Sequence, residues 1–151
     1  AAIGAGRYDD AIGDFNALLK SSPQNRRLAL GLGMALVGKG DTQAAIAQFD
    51  QIIASTPNAA AAYYGRAMAH NTARRRDDSL KDLDRAIALD PRNAQYQQVR
   101  AQLAARRGRH DEARALYQKL LARTPDDVDV MAELAELAVQ TGRGALTLGR
   151  C

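Results

Sequence analysis

The chain has 151 residues, 46% hydrophobic and 25% charged, with a formal net charge of +4. No apolar run approaches the ~20 residues that span a bilayer and no charged-then-apolar leader opens the chain, which argues against membrane insertion and a signal segment; the reading is of a soluble chain, with the compartment left open. The single cysteine, Cys151, excludes an internal disulfide framework and a cysteine metal cluster.

In chain order, Ala1 to Ala5 read as the tail of a helix whose beginning is missing, which, with no initiator Met, favours an excerpt of a longer protein. Gly6 then reads as a turn. "GRYDDAIGDFNALLKSSPQN" (6 to 25) reads as one helix with an apolar stripe of Ile12, Phe15, Leu18 and Leu19, and Pro23 stops it. Over 26 to 39, Ala29, Leu32, Gly33 and Leu36 share a helical face, and Gly40 stands where a C-terminal cap wants a left-handed backbone. Asp41 and Thr42 are N-cap candidates for a second helix with a stripe of Ala45, Ile46, Phe49, Ile52 and Ile53. Pro57 ends that helix, and Asn58 is placed to cap the next.

The layout then recurs. Pro23, Pro57, Pro91 and Pro125 are each 34 residues apart, as are Gly6, Gly40, Gly108 and Gly142, with Arg74 in the remaining glycine place. Ala11, Ala45, Ser79 and Ala113 make a third column, and Phe15, Phe49, Leu83 and Tyr117 a fourth. Gly33, Ala67, Ala101 and Ala135 lie mid-way along the first helices, where small side chains let two helix axes approach to about 8 Å. Asp9 and Asp10, Asp77 and Asp78, and Asp111 and Glu112 cluster at the starts of second helices, where the helix dipole favours acids. Each unit is therefore two antiparallel helices of roughly 14 residues.

The 34-residue layout, best seen in "GLGMALVGKGDTQAAIAQFDQIIASTPNA", "AAYYGRAMAH…SLKDLDRAIALDPRN" and "VRAQLAARRGRHDEARALYQKLLARTPDD", resembles the tetratricopeptide repeat family over residues 1 to about 143. The resemblance implies an all-α, right-handed superhelical solenoid of antiparallel helix hairpins: one array over 1–151, with full repeats at 26–59, 60–93 and 94–127 and partial repeats at 1–25 and 128–151. The sequence departs from the pattern at "RRR" (74 to 76) and in "GALTLGRC" (144 to 151), which reads as a truncated second helix or a disordered tail.

In that family the second stripe of each first helix looks into a concave groove that binds partners. The resemblance places there Arg27, Leu30, Met34 and Val37; then Ala61, Tyr64, Met68 and Asn71; then Gln95, Gln98, Gln102 and Ala105; and then Asp129, Ala132, Glu136 and Val139. Such a groove grades from apolar and Met-rich, through glutamines, to an acidic end, and suits a peptide or helix of another protein. The bland alternative is that Leu30, Met34 and Met68 pack against adjacent first helices. The Lys, Asn and Arg set with which chaperone-tail-binding members grip a terminal carboxylate is missing, since Leu30, Met34, Ala61 and Gly65 stand at its places and only Gln95 is polar.

Other functions have less support. Arg7, Lys39, Arg74, Arg75, Arg76, Arg106, Arg107 and Arg109 fall at turns and could make a basic edge, but the excess is only +2 over 60 to 93 and +3 over 94 to 127, and no aromatics interleave them for base stacking. That argues against a nucleic-acid partner. His70 and His110 fall in packing columns, and there is no nucleophile with a positioned base, phosphate-cradling loop or set at metal spacing; no catalytic residue, metal or cofactor is assigned, and an enzyme survives only as a larger chain that uses this array as a docking arm. The ends offer a rival role. Ile12, Phe15, Leu18 and Leu19 at one and Met131, Leu134 and Leu137 at the other lack covering helices, so copies could associate as a homo-oligomer through their end faces.

Overall fold

The computed structural model describes residues 4–142; expectations for residues 1–3 and for Arg143 to Cys151, the "GALTLGRC" tail included, lie outside the described residues. The described residues form eight α-helices: α1 (Gly4–Ser21), α2 (Arg26–Lys39), α3 (Thr42–Ser55), α4 (Ala60–Thr72), α5 (Arg76–Leu89), α6 (Ala94–Arg106), α7 (His110–Arg123) and α8 (Val128–Gln140). The chain divides into two compact units, Ala1–Pro91 and Arg92–Cys151.

The caps explain where the helices start and stop. Gly40 takes φ +92°, and its N–H reaches the carbonyls of Leu36 and Val37 while the Asp41 N–H closes onto Leu36 O at 3.0 Å. The same left-handed step recurs at Gly108 (φ +80°) and at Arg74 (φ +64°), whose side chain makes that conformation costly. Asp41 accepts from the Ala44 N–H and caps α3; Asn25, Asn93 and Asp127 accept from Leu28, Tyr96 and Val130 and cap α2, α6 and α8.

Three expectations are corrected here. Asn58 does not cap α4: the N-cap is Ala59, with no side-chain acceptor, in the column of Asn25, Asn93 and Asp127. Gly6 is no turn but lies inside α1, which runs back to Gly4. Asp9 and Asp10 therefore sit outside the first turn of α1, whereas Asp77 and Asp78, and Asp111 and Glu112, occupy the first turns of α5 and α7.

In the first unit each helix packs on its sequence neighbour, and α2 also packs on α4. Its core is Ala45, Phe49, Ile52, Ala59, Ala62 and Ala69, with Leu36, Ile46 and Ile53 against it. Phe49 is fully buried, a contribution of about 2–3 kcal/mol. Its ring passes between two glycines: a Cβ built on Gly33 would come within 2.6 Å of it, and one on Gly65 closer still. Ser79, the one hydroxyl in the small second-helix column, is also fully buried and donates to the carbonyl of Ala67 at 2.8 Å, so it closes α5 onto α4 without an orphaned polar group.

In the second unit α7 packs on both α6 and α8 around Ala101, Ala104, Ala113, Tyr117, Leu120, Val130 and Leu137. Two further expectations fail here. Leu137 is 2% exposed and belongs to this core rather than to an open end, and Leu134 packs beside it. Ala135, in contrast, is exposed, although Ala67 and Ala101 of the same column are sealed.

Candidate functional site

On the first unit the second stripe of the first helices stands on α2 and α4, which contact each other. Met34 is 40% exposed and Arg27 is exposed; Leu30, Val37, Tyr64, Met68 and Asn71 are half-buried. Leu30 and Val37 also pack against the core. Arg27 and Leu30 border a cleft of about 1040 Å³, whose wall also carries Asn16, Gln48 and Gln51.

On the second unit Gln95 is exposed, and Gln98 and Gln102 are half-buried. Both amides donate to Glu133 Oε1, Gln98 at 3.1 Å. The residues at the acidic end, Asp129, Ala132, Glu136 and Val139, are exposed. Gln102, Tyr117, Glu133 and Glu136 line a cleft of about 310 Å³. Tyr117 is only 3% exposed; burial first, then the Glu133 carboxylate facing it, holds its hydroxyl above the usual phenol range.

Sequence reasoning missed Glu133, which lies outside the periodic stripe, and a polar cluster on the first unit. Arg66 donates to both oxygens of Asp82 at 2.8 Å and to Asp50 Oδ1 at 2.9 Å, joining α4 to α5 and to α3. The hydrogen bond to Asp82, and then that to Asp50, raises the guanidinium above its ordinary range. Its Cζ also lies 5.4 Å from the Tyr63 ring centroid, with Arg85 at 5.8 Å. His70 Nε2 is 3.6 Å from Asp82 Oδ2 and borders the same cleft of about 620 Å³. Arg100, 8% exposed, meets Glu112 at 2.7 Å on the second unit. A signal was available: Arg66 and Arg100 are 34 apart, in the column of Leu32 and Leu134, so two repeats carry a cation where the others carry leucine.

Two expected cations of the turns have acidic neighbours. Lys39 meets Asp9 at 2.6 Å, a hydrogen bond that raises its pKa, and Arg109 lies 3.8 Å from Glu112. Among the described residues no group of three His, Cys, Asp or Glu side chains could hold a metal ion, and no helix is long and apolar enough to cross a membrane.

Comparison with known proteins agrees with the geometry. No curated protein matches the sequence. Among solved structures, a thermophilic TPR protein of Thermus thermophilus is 27% identical with a TM-score of 0.78, over 91% of this chain and 76% of that one. A MamA protein is 24% identical with a TM-score of 0.75, over 95% of this chain and 79% of that one, and MamA from Desulfovibrio magneticus RS-1 is 23% identical with a TM-score of 0.70, over 81% and 70%. The two MamA structures share the fold. A family model described as tetratricopeptide repeat, a class of helical hairpins that serve in general as non-catalytic scaffolds for protein interaction, matches residues 1–60, 30–94, 64–128 and 99–146. The chain belongs to the tetratricopeptide repeat family.

Proposed function

We propose that the chain holds a peptide or helix of a partner protein on the second stripe of its first helices, and that Leu30, Met34, Val37, Tyr64, Met68 and Asn71 on the first unit are its apolar part. The observation that carries this reading is Met34: it is 40% exposed between the half-buried Leu30 and Val37 of α2, on a helix packed against the one that bears Tyr64 and Met68. Flexible thioethers beside an amphipathic tyrosine suit apolar anchors spaced along a partner helix. The second unit carries a polar stripe of its own in Gln95, Gln98 and Gln102. Gln98 and Gln102 are tied to Glu133, which fixes their amides and leaves their carbonyl oxygens to accept from a guest.

The test is selection of helical peptides against the chain from a displayed library, followed by titration of the enriched sequences. Met34→Glu and Tyr64→Ala are each expected to weaken binding by more than tenfold with helicity retained. Peptides that bind both variants as tightly as the parent chain would place the guest elsewhere.

A further inference from the structure

The 34-residue register aligns Asn16, Leu32 and Gln48 with Asp50, Arg66 and Asp82 one repeat later. At the later repeat the three side chains lock together. The Arg66 guanidinium on α4 donates to Asp82 of α5 at 2.8 Å and to Asp50 of α3 at 2.9 Å, so it ties both second helices to the first helix between them. At the earlier repeat leucine stands for the cation and amides stand for the acids, and that ionic bridge has no counterpart. What crosses from α3 to α2 there is a hydrogen bond of 3.5 Å from the Gln48 amide to the Ala29 carbonyl.

The cleft of about 1040 Å³ lies at this place, with Asn16 of α1, Leu32 of α2 and Gln48 of α3 all in its wall. Its opening follows from the side chains at these three positions rather than from either end of the chain. Its chemistry is one-sided. Arg26 and Arg27, both exposed at the start of α2, line it, and among the described residues no carboxylate does. The first turn of α2 carries no acid either, so the helix dipole adds positive potential at the same spot. Amides supply much of the remaining polar wall, from Asn16, Gln24, Gln48 and Gln51. An amide offers a donor and an acceptor together, as a peptide backbone needs.

We infer that the cleft takes an acidic segment of a partner protein, whose Asp or Glu side chains meet Arg26 and Arg27 while its main chain pairs with the amides. Charge complementarity decides the occupant: two cations at a helix start, with no acid lining the cleft, select carboxylates, and the neutral amides beside them suit a main chain better than a bare ion. The cleft meets the proposed partner face at Arg27 and Leu30, so the inference rests on that reading and deepens it by naming the chemistry of one end of the guest.

The probe is a fluorescent, end-capped peptide of alternating Glu and Gly, with Gln replacing Glu in a second peptide, each titrated against the 151-residue chain by anisotropy. The glutamate peptide should bind saturably and the glutamine peptide more than tenfold more weakly. Arg26→Gln combined with Arg27→Gln should weaken the glutamate peptide by more than tenfold, with helicity retained because both positions are exposed. Arg75→Gln combined with Arg76→Gln removes the same charge at the start of α5 and should change binding less than twofold. Installing the neighbouring lock, with Asn16→Asp, Leu32→Arg and Gln48→Asp together, should fill the cleft and abolish binding. A parent chain that binds neither peptide, equal binding of the two, or equal losses from the two arginine pairs would overturn the inference. So would inorganic phosphate that displaces the peptide where free glutamate at the same ionic strength does not, since that assigns the cleft to a phosphate group. Library-selected peptides that lack acids yet lose binding at Met34→Glu would leave the groove reading standing and remove only this one.

Discussion

Phe49 shows how one side chain sets the tolerances of its neighbours. Its ring lies between the backbones of α2 and α4 because positions 33 and 65 carry no Cβ. Gly65→Ala puts a methyl group against the ring, where both are locked in the core. It should destabilise the fold by about 1–3 kcal/mol in urea denaturation, despite alanine's better helix propensity. A neutral or stabilising effect would mean the ring has room to move. Tyr117 gives a second prediction at this scale. Its folded-state pKa is raised above the unfolded value of about 10. Folding then favours the protonated phenol, so its contribution is fully present below about pH 10 and is lost as pH rises through the raised folded value. Thermal scans between about pH 9 and pH 12 should therefore show a smaller alkaline loss of stability in Tyr117→Phe than in the parent chain. Parallel curves would remove burial of this hydroxyl from the account.

At the scale of the element, each hairpin turns on one left-handed residue. Gly40 and Gly108 adopt it freely, and Arg74 adopts it at φ +64°. Arg74→Gly should relieve about 1 kcal/mol of strain, less what glycine costs the unfolded chain, and should raise the urea midpoint; a lower midpoint would show that the arginine side chain is held there by a stabilising contact. Helix starts and stops were legible in the sequence wherever they follow from a side chain's own chemistry: proline after each second helix, glycine at the turn, Asp41 at its cap. Legibility failed where the chemistry is missing or tertiary. Alanine at 59 broke the cap column of Asn25, Asn93 and Asp127, and the asparagine one residue earlier took its place in the reading. Glu133 lies off the periodic stripe, and only the packing of α8 brings it to Gln98 and Gln102. Leu137 and Ala135 exchanged roles because the periodicity gives a helix two apolar faces without saying which one its neighbour covers.

At the scale of the whole molecule, stacked hairpins divide labour between faces. Second helices seal the small columns, and first helices keep a stripe partly open. That division connects repeat period to function: the period fixes which residues are spared from the core, and their chemistry fixes what kind of guest they suit. In the proposed reading, the apolar and thioether groups on the first unit suit a partner's hydrophobic anchors. The three methionines of the chain stand at informative places, with Met34 and Met68 on the proposed partner face and Met131 exposed on α8. Labelling their methyl groups with carbon-13 gives three signals that report on both surfaces in one spectrum. Titration with a peptide selected for binding should shift Met34 and Met68 and leave Met131 in place; a bound peptide that moves Met131 alone, or none of the three, would contradict the account.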